Sequence, residues 1–104
     1  MASTTPDEML RKHLLADRFR ARPHVVWARH ADTTVLMDAE AGQYYTLNEV
    51  AGRAWDLLVA GEPLVEVLRC LGEEYEASAE TLEADVEALL ERLLGAALID
   101  RVTL

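Results

Sequence analysis

What most constrains this chain is a change of hydrophobic period between Leu47 and Asn48. Before that point, apolar residues sit in short β-branched and aromatic runs. After it they recur at three- and four-residue steps. Residues 25–29 (VVWAR), 33–38 (TTVLMD) and 43–47 (QYYTL) read as strands, joined by a turn at 30–32 and by a loop at 39–42 that ends on Gly42. Connections this short imply an antiparallel meander. Asn48 then suits the N-cap of a helix reaching about Ala60, with Val50, Ala51, Ala54, Trp55 and Leu58 available for burial and Gly61 as its stop. Pro63 opens a second helix with Leu64, Val67, Leu68, Leu71 and Tyr75 on one face. Ser78 caps a third, whose stripe is Leu82, Val86, Leu89, Leu90 and Leu93, with Gly95 placed as its C-terminal cap. Leu98 and Ile99 are expected to fold back on the core. The predicted class is α+β, a three-stranded antiparallel sheet followed by three helices.

The first 24 residues read as an extension ahead of a domain at 25–104. Residues 1–6 (MASTTP) read as a disordered start. From Pro6 to Phe19, the spacing of Met9, Leu10, Leu14, Leu15 and Phe19 allows a short amphipathic helix, which Arg22 and Pro23 would end. A chain of 104 residues, half of them apolar, suits one domain with a modest core. Neither a membrane-length apolar run nor a signal-peptide core is present, and one cysteine excludes a disulfide framework. A cytoplasmic protein without membrane contact is expected.

Charge is divided unevenly. Residues 1–30 carry a net +3 and residues 31–104 a net −12, giving −9 in all. An acidic body repels nucleic-acid phosphates and would attract a basic peptide, although an acidic surface also serves solubility alone. Catalytic signals are missing. His13, His24 and His30 lie far along the chain from Cys70, no pair has metal-ligand spacing, and Cys70 reads as a small thiol at the core boundary. Pairs such as Asp85 with Glu87 or Glu83 with Glu87 read as a solvated helix face. Neither an enzyme nor a cofactor or metal site is expected.

The edge strand is the informative element. An open sheet edge offers unpaired N–H and C=O groups to another chain, and edges are usually blunted by Lys, Pro or a bulge. Residues 43–47 carry no charge and no proline. With a four-residue loop, Asp38 pairs with Gln43 and Leu36, Tyr45 and Leu47 share one face, leaving Tyr44, Thr46, Val35 and Met37 on the other. A three-residue loop reverses that parity. Both faces are fairly apolar, so the side away from the helices needs cover from the N-terminal segment, a second protomer or a partner.

The string L-x-D-x-x-x-G-x-Y-Y-x-L-N from Leu36 to Asn48, followed by Gly52, Ala54, Trp55, Leu58, Gly61, Tyr75, Asp85 and Val86, resembles the PqqD-like family over roughly residues 25–100. That resemblance implies a winged helix-turn-helix-like fold and a precursor-peptide recognition element without catalysis of its own. The leader of a ribosomally made precursor would add to the third predicted strand and lie against the third helix. Tyr44, Tyr45 and Thr46 would line the groove from the strand, and Asp85, Val86, Leu89 and Arg92 from the helix, where Val86 and Leu89 equally suit plain core.

Among members, the resemblance is nearest to the free-standing leader-binding proteins of lasso-peptide pathways, which serve a leader-cleaving cysteine protease ahead of a macrocyclase. A second expectation is a peptide chaperone in pyrroloquinoline quinone biosynthesis, working with a radical S-adenosylmethionine enzyme. A winged-helix DNA-binding protein is a third, opposed by the acidic residues of the third helix. Monomer and homodimer are both left open. The Arg-rich extension departs from the short family members, and it would dock a partner enzyme or cover the sheet's reverse face.

Overall fold

The computed structural model describes residues 15–102. Its elements are β1 (Arg18–Ala21), β2 (Val25–His30), β3 (Thr33–Asp38), β4 (Gln43–Leu47), α1 (Glu49–Val59), α2 (Leu64–Glu74), α3 (Ala79–Gly95) and β5 (Ile99–Val102). Strands β2, β3 and β4 form the expected antiparallel meander, and the three helices follow it.

The β3–β4 loop has four residues, so Asp38 pairs with Gln43, Leu36 with Tyr45 and Thr34 with Leu47. Local chemistry fixes this register. The Asp38 carboxylate accepts from the backbone N–H groups of Glu40 and Ala41 at 3.0 and 2.9 Å, and Gly42 takes a φ of 69°. Leu36 and Leu47 therefore face the helices and are buried, while Tyr44 stands on the opposite face, 68 % exposed. The β2–β3 hairpin turns through only Ala31 and Asp32, with Ala31 at φ 54°.

The helices begin and end on backbone logic. Asn48 Oδ1 accepts from the Ala51 N–H at 2.9 Å, and Ser78 Oγ accepts from the Thr81 N–H at 3.1 Å. Helix α1 closes with Gly61 in the left-handed region, its N–H donating to Leu58 and that of Glu62 to Leu57. Helix α3 closes with the same pair of bonds, from Ala97 to Leu94 and from Leu98 to Leu93. Its left-handed residue is Ala97 at φ 58°, and Gly95, expected to be the cap, is the last helical residue. The helix runs further because Leu93 and Leu98 are both buried, and that pairing sets where the chain must turn.

Trp55, Leu58, Leu64, Leu71 and Leu90 make the centre of the core between sheet and helices. Helix α1 rests on β3 so closely that a Cβ on Gly52 would lie 2.5 Å from Thr34 Oγ1. Thr34 is itself buried, and its hydroxyl accepts from Arg29, which also pairs with Asp56 at 2.7 Å.

The extension and the tail meet each other. Strand β1 pairs antiparallel with β5, Arg18 opposite Val102 and Ala21 opposite Ile99, and Phe19 and Ile99 enter the core. Arg22 bonds Asp100 at 3.1 Å, and Arg101 pairs with Asp17 while stacking over the Phe19 ring. The helix allowed over 6–19 lies mostly outside the described residues, and its last five positions are instead a turn and the start of β1. Residues 15–17 run along the start of α2, where Leu64 and Val65 donate to the carbonyls of Asp17 and Leu15. Within the described residues, then, the extension does not cover the reverse face of the meander, where Val26 and Tyr44 remain exposed. Glu87, read above as part of a solvated face, is buried at 5 % exposure. Among the described residues, no helix is long and apolar enough to cross a membrane.

Candidate functional site

Strand β4 is one border of the meander. Among the described residues, no strand pairs with its outer side. Gln43, Tyr44 and Thr46 are exposed, Tyr45 is half-buried against the core, and Leu47 is buried. The alternation follows from the four-residue loop, so Tyr45 is the tyrosine on the helix side and Tyr44 the one facing away.

Where β4 ends, a cavity of about 280 Å³ opens between α1 and α3. Val50, Ala51 and Ala54 of α1 form one wall, with Asn48 at its mouth and Leu71 behind. Leu82, Asp85, Val86, Ala88, Leu89 and Arg92 of α3 form the other. The space exists because α1 presents small side chains at 51 and 54, one turn apart, towards α3.

Four of the seven residues expected in the groove, Asp85, Val86, Leu89 and Arg92, line this cavity. Val86 and Leu89 belong to the buried core as well, at 2 % and 5 % exposure, so wall and core are here the same residues. The other three, Tyr44, Tyr45 and Thr46, lie on β4 and do not line it. The expected groove is thus a border strand leading into a cavity. Sequence reasoning missed the α1 wall, whose signal was the Ala51–Ala54 spacing directly after the Asn48 cap.

Polar groups are distributed unequally around the site. Asp85 and Arg92 are exposed at its rim, and neither side chain has a hydrogen-bond or ion-pair partner among the described residues. The strong pairs lie elsewhere. Arg53 grips Glu74 through two bonds of 2.8 and 3.0 Å, tying α1 to α2 and holding the Glu74 carboxyl below its usual range. Hydrogen bonding to Arg69 lowers Glu66 in the same way, and burial raises the Tyr75 hydroxyl. No group of three His, Cys, Asp or Glu side chains able to hold a metal ion occurs among the described residues. The chemistry this arrangement offers is recognition: backbone donors and acceptors along a border, then a mostly apolar recess with one charge of each sign.

Residues 33–99 match the family model described as coenzyme PQQ synthesis protein D (PqqD). Two solved structures are similar, each with a TM-score of 0.72 and 30% sequence identity. One is TbiB1 in complex with the TbiA(beta) leader peptide, where the match covers 78% of this chain and 94% of that one. The other is a lasso peptide synthetase B1 complexed with the leader peptide, covering 80% of this chain and 98% of that one. No curated protein matches the chain.

Proposed function

This chain belongs to the PqqD family, and from that premise we propose that it is a non-catalytic adaptor for the leader segment of a ribosomally made precursor peptide. The leader adds as a strand to the outer side of β4 and reaches the cavity between α1 and α3. Backbone hydrogen bonds supply affinity along the border, and side chains anchored in the recess supply selectivity. Tyr45 and the α3 residues Asp85, Val86, Leu89 and Arg92 meet one face of the bound segment. Tyr44 and Thr46 flank its other face.

The observation carrying this reading is the uncharged border of β4, unpartnered among the described residues, running into that cavity. The two solved relatives, each bound to a leader peptide, support the same reading. Because one of the two is a lasso peptide synthetase B1, the enzyme served is a leader-cleaving protease, with a macrocyclase acting afterwards, and the setting is the cytoplasm. The family's own description favours one other assignment, a peptide chaperone for a radical enzyme of quinone-cofactor biosynthesis.

The test is fluorescence polarisation of the labelled leader from the precursor encoded beside this chain. Ala88 is exposed and lines the cavity, so Ala88→Trp fills the recess without disturbing the core. The expected result is at least a tenfold loss of affinity with an unchanged melting temperature. Tight binding by this variant and by Tyr45→Asp alike would exclude the groove. Adding the purified protease or the radical enzyme to the loaded complex separates the two assignments.

A further inference from the structure

Strand addition has a physical weakness as a recognition mode. Its ladder is made by backbone groups, so a segment slipped by two residues keeps the same side-chain parity and nearly the same bonds. A reversed segment also finds donors and acceptors. Something outside the ladder must set register and direction.

We infer that Asp85 and Arg92 are that device: two opposite, unpartnered charges that admit the leader in one register and one direction. The inference rests on the leader-binding reading above. Asp85 and Arg92 are seven residues apart on α3, hence on one face and about 10 Å apart along the axis. Both stand at the rim of the cavity, whose wall between them is Val86, Ala88 and Leu89. An extended peptide covers that distance in about three residues. Side chains on one face of a strand recur every second residue, so the complementary leader carries a basic and an acidic side chain two or four positions apart.

Charge elsewhere sharpens the choice. Arg92 is the one cation in the sequence of α3, against Glu80, Glu83, Asp85, Glu87 and Glu91. Asp85 and Arg92 are the charged residues lining the cavity, so an acidic leader side chain is repelled at one end of the recess and attracted at the other. A slipped or reversed leader places that side chain against Asp85, and like-charge juxtaposition is how wrong partners are rejected. Selectivity then comes as much from what the acidic helix refuses as from what Arg92 accepts.

The experiment uses the full chain and two labelled peptides at 50 mM salt: the leader encoded beside this chain, and the same leader with its acidic and basic groove-facing residues exchanged. Asp85→Lys and Arg92→Glu are exposed substitutions, and each is expected to weaken the native leader by roughly three- to tenfold, as suits solvated ion pairs turned repulsive. The double variant should bind the exchanged leader within about twofold of the native pair, and all differences should shrink in 1 M salt. Equal affinities of the parent and the double variant for both leaders, or a native leader lacking such a charge pair, would overturn the inference while leaving strand addition intact. Failure of the unmodified protein to bind its leader at all would instead overturn both.

Discussion

Helix α3 ends on an inverted arrangement of small residues, and exchanging them gives a quantitative test of the fold. Ala97 occupies the left-handed position of the closing motif at φ 58°, while Gly95 sits within the last helical turn. A left-handed alanine costs about 1–2 kcal/mol, and a helical glycine costs up to about 1 kcal/mol relative to alanine. A Cβ at Gly95 meets nothing within 4 Å, so no clash offsets the gain. At Ala97, the added freedom of glycine in the unfolded chain returns about 0.4–1 kcal/mol. Gly95→Ala with Ala97→Gly should therefore stabilise the protein by about 1–2 kcal/mol. For a domain of this size, each kcal/mol moves the melting temperature by about 4–8 °C, so calorimetry should show a rise of roughly 5–15 °C. Neither residue lines the cavity, and leader affinity should stay as it was. A melting temperature unchanged or lowered in the double variant would refute the assigned chain reversal, and with it the helix end that carries the Arg92 turn.

Three further outcomes follow from packing and charge. Gly52→Ala should destabilise by about 1–3 kcal/mol in urea titration, because its Cβ would meet Thr34 Oγ1 at 2.5 Å, and Thr34→Ala should cost less in that background than alone. Ala31→Gly should raise the melting temperature by relieving the left-handed turn residue, a gain of about 1 kcal/mol. Arg53→Gln removes the partner that lowers Glu74. A depressed carboxyl stabilises above its unfolded value of about 4.3 and ceases to as pH falls through its folded value. The pair is partly exposed, so the loss at pH 7 should be no more than about 1 kcal/mol, and melting curves of variant and parent should converge by about pH 3.

The meander and the three helices were legible because each carries a local signal: period two in VVWAR, TTVLMD and QYYTL, then caps at Asn48 and Ser78. The β3–β4 parity was narrowed to two options and no further. Its arbiter is the Asp38 carboxylate folding onto two backbone N–H groups, a contact that composition does not announce. The ribbon of β1 and β5 was illegible for another reason. RFRA and IDRV are four residues each, and their pairing joins the two ends of the fold. Phe19 also falls at helical spacing from Leu15, so a helical reading competed with the strand. At the candidate site, the α3 wall was visible as a stripe. The α1 wall consists of what is missing at Ala51 and Ala54, and a recess made by small side chains appears only when a second helix stands opposite.

The ribbon that joins β1 to β5 also schedules how the molecule is made. Phe19 leaves the ribosome well before the strand that shelters it, which is synthesised roughly 80 residues later. At about 5–20 residues per second, that is a delay of some 4–16 s. During the interval the meander and first helices can assemble around a vacancy in their core. Closing so long a loop is entropically the least favourable step available, so it should come last. A nascent chain stalled before Ile99 would hold its tyrosine-bearing border already formed while an aromatic side chain waits in water.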